Sequence, residues 1–560
     1  MSTKSNTEKQ HGNWIPEELN PHGFQSVIEV FQKACGDFAD LPAFTSVGRT
    51  LSYRELNEKS DNFAAYLQNE TDLTPGDRIA VQLPNVIQYP VVVFGAIKAG
   101  LVIVNTNPLY TPKELQHQFA DAGVKAVVVF ANMAHNVEKV LPHVPSLKEV
   151  IITEIADFHP QPKRLLINSV VKYVKKMVPA YHLPMAKTLN QVLDQGSNYK
   201  AFIVPKTLSD LAVLQYTGGT TGVAKGAILT HANLIANMNQ LAIRLGSRCL
   251  PREELFIAPL PMYHVYAFLI HGLTLLQLGA HTVLIPNPRD ILGFVKELSK
   301  WPFTGFIGLN TLFVALCKNS DFVKLDFSTL KTTASGGMPL THAAAEEWEK
   351  VTNNKIVEGY GLTETSPVVA FNPFGAEQIG TIGIPVPETQ VKFIDDEGNE
   401  VIQGDAGMLC VHGPQVMQGY WNNETATQEV MTADNYLITG DIGLQQKDGY
   451  IKIVDRAKDM VVVSGFNVYP AEVEDCLCSH PDILEAAVIG VADESCGELV
   501  KAFVVLYDTN KMFDVDEVRQ FCRKELAAYK VPKHIEIRAE LPKTNVGKVL
   551  RRALREENLH

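Results

Sequence analysis

The sequence predicts an α/β protein: a large N-terminal region of layered sheets and helices with a β-rich subdomain, followed by a small α+β domain. Three observations carry this. The 560 residues exceed what one hydrophobic core organises, so two or three domains are expected. Through the first two-thirds, short strand-like apolar runs alternate with helix-like ones, the signature of a largely parallel sheet. From residue 391 the texture changes to short β-like runs spaced by Gly/Asp turns.

In chain order, RIAVQL at 78–83 is a short buried strand that stops at Pro84-Asn85. The apolar run 90–99 is helical, and Gly100 closes it. Two further strands are expected at 124–130 and 150–153. The stretch 255–288 holds no Asp, Glu, Lys or Arg, but Pro259, Pro261, Gly272 and Gly279 interrupt it. It is read as a buried helix and then a buried strand rather than a membrane span. The runs VKFID, GMLCVHG and YIKIVD make up the β-rich subdomain over about 391–457. Helices at 470–478 and 515–527 and strands at 486–491 and 501–506 fill the tail. The boundary is placed near Lys458, dividing the chain into 1–457 and 458–560.

Composition narrows the function. With 46% hydrophobic and 20% charged residues the chain is of ordinary globular make-up, and a net charge of −12 argues against a nucleic-acid footprint. The polar first ten residues show no signal peptide. The eight cysteines are scattered, and the lone pair Cys476 and Cys478 is weak evidence for a metal. Cytoplasmic residence follows. Leu166, Val170, Val174 and Met177 are spaced for one helical face, with Lys172, Lys175 and Lys176 mostly elsewhere. Such a helix over 163–184 either lies on the inner face of an anionic membrane or packs on the core as an ordinary surface helix. A homodimer is left open.

The strongest chemical signal is YTGGTTGVAKG over 216–226. Gly218, Gly219 and Gly222 let backbone N–H groups turn toward an anion, Thr217, Thr220 and Thr221 add hydroxyl donors, and Lys225 adds positive charge, a combination suited to polyphosphate. A Walker A loop is disfavoured, because Lys225 is followed by Gly226 where that motif needs Ser or Thr. A ligand-free Gly/Thr loop is the bland alternative.

At this motif the chain resembles the superfamily of acyl-CoA synthetases, peptide-synthetase adenylation domains and luciferases. Further motifs follow in that family's order over almost the whole chain. Ser335-Gly336-Gly337-Met338-Pro339-Leu340 is similar to its adenine-contact loop. Glu358-Gly359-Tyr360-Gly361-Leu362-Thr363-Glu364 is similar to its nucleotide and Mg²⁺ motif. Thr439-Gly440-Asp441 resembles the ribose-binding turn, and Asp455-Arg456-Ala457-Lys458-Asp459 the hinge. Ser464-Gly465-Phe466-Asn467 resembles the CoA-channel loop, and LPKTNVGK over 541–548 the mobile loop with the catalytic lysine, Lys548.

The resemblance implies ATP and CoA as co-substrates, Mg²⁺ as cofactor and a C-terminal domain that rotates about Lys458. A carboxylate would attack the α-phosphorus of ATP, release pyrophosphate and leave acyl-AMP, which CoA then converts to a thioester. Two anions must meet, so positive charge and aimed donors are required. Lys225 and the loop amides would handle the β,γ-phosphates, and Glu364 with Thr217 would hold Mg²⁺. Asp441, supported by Arg456, would accept the ribose hydroxyls. Lys548 would neutralise charge at the carboxylate and α-phosphate.

The acid is read from Pro261-Met262-Tyr263-His264-Val265-Tyr266-Ala267-Phe268. Adenylation domains for α-amino acids resemble this stretch but carry Asp where His264 stands, to pair with the ammonium, so an amino-acid substrate is disfavoured. His264 would orient the substrate carboxylate. Phe268 falls where some fatty-acid members have an aromatic gate, and Tyr266, Gly308 and Gly383 are expected around the acyl pocket. The wording of the motifs is closest to bacterial long-chain fatty-acid–CoA ligases. A ligase for medium-chain or aryl acids, an acyl-AMP synthetase that loads a carrier protein, and a catalytically silent acyl-binding homologue are the alternatives. Intact Lys225, Glu364, Asp441, Arg456 and Lys548 speak against the silent one.

Overall fold

The computed structural model describes residues 19–20, 22–217, 224–464, 466–493, 497–508, 513–544 and 548–558. Two large sheets dominate. One has seven strands, and its core is parallel: Arg78–Gln82 lies between Val124–Phe130 and Val102–Asn105. The other has nine strands, with the parallel set His281–Leu284, Leu255–Ala258, Gly305–Gly308, Thr332–Ser335 and Ile356–Gly361 at its centre. Central strands such as Ile79–Val81 are Val/Ile-rich and buried on both faces, as parallel sheets between helical layers require.

The helices follow from local chemistry. Tyr53–Asn69 starts from a capping box between Ser52 and Glu55, and Pro112–Ala122 from one between Thr111 and Glu114. The second helix ends at Gly123, whose φ of 61° is the left-handed cap that glycine adopts without a Cβ penalty. The expected apolar helix is Gln88–Lys98, buried on every side. Even Lys98 is inside, its ammonium bonded to Asp61 at 2.6 Å and Ser60 at 2.8 Å.

The stretch 255–288 is a strand, a buried helical run and a second strand. Leu255–Ala258 leads to a short helix Val265–Ala267, a π-helical turn Phe268–Thr274 and the strand His281–Leu284. Among the described residues no helix is long and apolar enough to cross a membrane. The β-rich segment is a four-stranded antiparallel sheet of Gln390–Ile394, Gly407–His412, Leu437–Gln445 and Ile451–Arg456. Its second strand is the GMLCVH run, and Leu409, Cys410 and Val411 are buried in it.

From Val461 onward the apolar residues cluster among themselves. A long hairpin, Ile483–Asp493 with Gly497–Leu506, carries the helices Pro470–Cys478 and Val515–Glu525 on one face and Arg551–Glu557 on the other. The amphipathic segment is a helix Lys163–Ser169 that runs into a π-turn Val170–Val174. It does not pack on the core: Leu165, Leu166, Tyr173, Val174 and Met177 are exposed, Val174 at 74%.

Candidate active site

A cleft of about 1210 Å³ opens where both large sheets, the four-stranded sheet and the C-terminal unit meet. The strand Leu211–Thr217 returns as Lys225–Thr230, and Thr217 pairs directly with Lys225, so both ends of the Gly/Thr loop stand at the cleft. Gly218, Gly219, Thr220, Thr221 and Gly222 lie outside the described residues. The Lys225 ammonium sits 5.2 Å from the Tyr420 ring centroid. The Tyr420 hydroxyl donates to Glu364 at 2.7 Å, which fixes that carboxylate on the short turn Thr363–Thr365.

Opposite, Asp441 and Arg456 are cross-strand partners in the four-stranded sheet, joined at 2.8 Å. Tyr360, from the end of its parallel strand, donates its hydroxyl to Asp441 at 2.5 Å. Two other segments therefore fix one buried carboxylate. Burial and the Asp441 charge together push the Tyr360 phenol well above its ordinary range, so it stays a donor.

Lys548 reaches the same space. Its backbone is held by Thr544: the Thr544 N–H donates to the Lys548 carbonyl at 2.7 Å, and the Lys548 N–H donates to Thr544 Oγ1 at 3.1 Å. Burial, then the neighbouring Arg456, push its ammonium down to about 8, against the pull of Asp441. Lys458 also faces the cleft, its ammonium lowered by burial and by Arg456. Arg551, Arg552 and Arg555 add to this basic wall.

His264 lines the cleft as the residue before the helix Val265–Ala267, and its Nδ1 accepts the Tyr266 N–H at 3.4 Å. Burial pushes its pKa down to about 4, so the ring is neutral and Nε2 carries the proton. It can donate one hydrogen bond to an anionic oxygen. Tyr266, Gly337, Gly359 and Thr363 also border the cleft. Gly336 has no room for a side chain, since a Cβ would meet the Tyr266 hydroxyl at 2.9 Å.

Other expected site residues stand elsewhere. Met338 is half-buried and outside the cleft lining. Glu358 lies behind the wall, where it accepts the Leu340 N–H at 3.1 Å, and burial pushes its carboxyl up to about 8. Phe268 is 1% exposed within the core. A Cβ on Gly308 would strike the Phe313 and Phe306 rings at 2.8 and 2.9 Å, and one on Gly383 would strike the Phe371–Asn372 backbone at 2.2 Å. Packing therefore accounts for both glycines. Gly465 lies outside the described residues. Phe466 and Asn467 are on an exposed strand away from the cleft, and the Phe466 ring, 57% exposed, stacks on Tyr529.

The structure adds cleft residues that the motifs did not single out. Asn105, Asn107 and Tyr110 follow the carboxyl end of a parallel strand, where open α/β sheets bind ligands. Asp121 accepts from the Tyr216 hydroxyl at 2.5 Å and Trp421 donates to its carbonyl at 3.2 Å. Leu241, Ile270, Val368 and Phe371 supply an apolar side. A polar residue closing the apolar run Val102–Asn105 is the signal by which Asn105 could have been found. Altogether the cleft offers a fixed carboxylate, several cations, a neutral imidazole donor and an apolar wall, which suits chemistry between a polyphosphate and an apolar acid.

Comparison with known proteins agrees with this chemistry. Residues 31–421 match the family model described as AMP-binding enzyme, and residues 472–548 that of the AMP-binding enzyme C-terminal domain. The long-chain-fatty-acid–CoA ligase of Salmonella typhimurium is 49% identical over 545 residues, covering 97% of this chain and 96% of that one. The Bacillus subtilis protein of the same name is 37% identical, with 98% and 97% covered. The crystal structure of ATP-bound MatB from Rhodopseudomonas palustris superposes with a TM-score of 0.80 at 29% identity, over 95% of this chain and 98% of that one.

Proposed function

The chain belongs to the AMP-binding enzyme family, and on that premise we propose that it is a long-chain-fatty-acid–CoA ligase acting in two steps. The fatty-acid carboxylate attacks the α-phosphorus of ATP, pyrophosphate leaves, and acyl-AMP forms. The CoA sulfur then attacks the acyl carbonyl and AMP leaves. One observation carries the reading: Lys225, Glu364, Arg456 and Lys548, from segments far apart in sequence, face one cleft with an apolar side, and buried Asp441 stands directly behind it, paired with Arg456.

Lys225 and the Gly/Thr loop take the β,γ-phosphates. Asp441, already held by Tyr360 and Arg456, keeps acceptor capacity for ribose hydroxyls. Lys548 offsets the charge that gathers where carboxylate and α-phosphate meet. His264 donates Nε2–H to the carboxylate, and the acyl chain lies along Leu241, Ile270 and Val368.

Magnesium fits this donor set. Among the described residues no group of three or more His, Cys, Asp or Glu could hold a metal. Glu364 and Thr217 offer hard oxygens at the cleft, and Mg²⁺ characteristically takes one or two protein oxygens and completes its shell with phosphates and water. When bound it neutralises phosphate charge.

The same proposal places a domain boundary and pivot at Lys458, in the turn Ala457–Asp459, and the CoA loop on the Phe466 face. It also includes cytoplasmic residence, supported by the free thiols among the described cysteines, and contact of the Lys163–Ser169 helix with the inner membrane face. Exposed apolar side chains ringed by Lys163, Lys172, Lys175 and Lys176 suit an anionic lipid surface.

The deciding experiment is pyrophosphate release across acids of increasing chain length, with and without CoA. Long acids should drive release, and acyl-CoA should form when CoA is added. Preference for benzoate, or transfer to a carrier protein in place of CoA, would overturn the assignment.

A further inference from the structure

The helix Pro470–Cys478 has an unusual start. Its own preceding residue, Tyr469, makes no side-chain cap. The cap comes from across the hinge: Oδ2 of Asp455, 16 residues earlier on the strand Ile451–Arg456, accepts the Ala471 N–H at 2.7 Å. Its Oδ1 accepts the Arg456 N–H at 2.7 Å. Asp455 is 5% exposed. A carboxylate at a helix N-terminus satisfies an orphan donor and opposes the positive end of the helix dipole.

The charges around this contact belong to the far side of the hinge. Arg551 bonds Glu474 of the capped helix at 3.1 and 2.6 Å, and bonds Asp459 at 3.3 Å. Arg555 bonds Asp459 at 2.9 Å. Burial pushes the Asp455 carboxyl up to about 6, while Arg551 and the two N–H donors hold it down. Asp455 is thus a buried carboxylate on the near side that caps a helix and feels the charge of an arginine, both of which lie beyond the hinge. A second contact also crosses between the units, the Lys318 ammonium 4.0 Å from the Tyr507 ring centroid.

We propose that Asp455 is a positioning residue for adenylate formation: by capping the helix beyond the hinge it holds the C-terminal unit in the arrangement that brings Lys548 into the cleft. This rests on the ligase reading and on Lys458 as pivot. Rotation about Lys458 takes Ala471 and Arg551 away from Asp455 and leaves its carboxylate to water. The cap therefore weights one arrangement over the other without touching substrate.

The test measures both half-reactions separately on the full chain: pyrophosphate release from ATP and a long-chain acid, and acyl-CoA formation from supplied acyl-AMP. Asp455→Ala should slow the first about tenfold, the order that loss of a charged helix cap sets, and leave the second within about twofold. Asp455→Asn keeps an acceptor for Ala471 without the charge and should fall between. Melting temperatures on the same preparations identify a variant that has not folded, in which case Asp455→Asn decides. Parallel loss of both half-reactions, or unchanged pyrophosphate release, overturns the proposal. The wild-type chain in the same assay tests the ligase reading independently, since its failure to release pyrophosphate would remove that reading whatever Asp455 does.

Discussion

A lysine ammonium helps two anions meet only while it is protonated. Burial and Arg456 bring Lys548 down to about 8, so its charge is complete below that pH and is lost as pH rises through it. In the free enzyme, kcat/KM for ATP in pyrophosphate release should therefore fall above about pH 8. Lys548→Ala should cost about 10²–10³ in that step, the scale of one lost transition-state donor, and remove the limb. Thioester formation from supplied acyl-AMP should survive. Equal loss in both steps would take Lys548 out of adenylation. Glu358 acts through stability, and its pKa is shifted the other way. Its carboxyl is raised from 4.5 to about 8, so the folded state holds a proton that the unfolded state releases. Stability from this group is fully present below about pH 4.5 and is lost as pH rises toward 8. Glu358→Gln, which can still accept from Leu340, should match wild type near pH 4.5 and be the more stable protein at pH 8, by about 1–3 kcal/mol. Equal melting temperatures at both pH values would mean that Glu358 is ionised in the fold.

At the scale of elements, the helix Lys163–Ser169 and its π-turn carry a consequence for binding. A helix that exposes Leu165, Leu166, Tyr173 and Val174 beside lysines should bind anionic vesicles, and salt should weaken that binding. Replacing Lys172, Lys175 and Lys176 with Glu should abolish co-sedimentation. Persistence of binding in that variant would assign the helix another role. The spacing of its apolar residues was legible in the sequence, but their exposure was not, because periodicity cannot tell a face turned to the core from one turned to solvent. The parallel strands at 78–83 and 124–130 were legible because β-branched runs between turns have few other uses. The buried helix and buried strand expected in 255–288 are present as the helical run 265–278 and the strand His281–Leu284, with the strand Leu255–Ala258 ahead of them. Not legible was the division of that run into a short helix, a π-turn and a closing 3₁₀ turn, since no Pro or Gly marks either junction. Site residues divided the same way. That Lys225, Tyr360 and Glu364 stand at the cleft was legible because their motifs are local to a loop or strand end. Gly308 and Gly383 were misplaced because a glycine demanded by neighbouring rings or backbone reads like one lining a pocket. Asp121 and Trp421 were missed because they meet only in the fold.

The whole molecule poses a problem of arrangement. Lys548 is in the cleft, whereas Phe466 and Asn467 face solvent on another side of the same C-terminal unit. On the proposal that Phe466 and Asn467 belong to the CoA loop, one rigid arrangement cannot present both to the same acyl group, and the two steps call for the unit to turn. The contacts that this turn must break are identifiable: the cap from Asp455 to Ala471 and the approach of Lys318 to Tyr507. Lys318 and Tyr507 are accessible, and neither belongs to the cleft. Replacing both with cysteine and joining them with a short, reductively cleavable bismaleimide should hold the present arrangement. The cysteines already present are buried or half-buried among the described residues, and single-cysteine variants control for them. The cross-linked enzyme should complete a single turnover of pyrophosphate release and accumulate acyl-AMP. Its formation of acyl-CoA should fall by about tenfold or more and return when the linker is cleaved, as expected when a domain movement separates two steps. Undiminished acyl-CoA formation by the cross-linked protein would mean that both steps run in this one arrangement, and it would leave the cap at Asp455 as an ordinary structural bond.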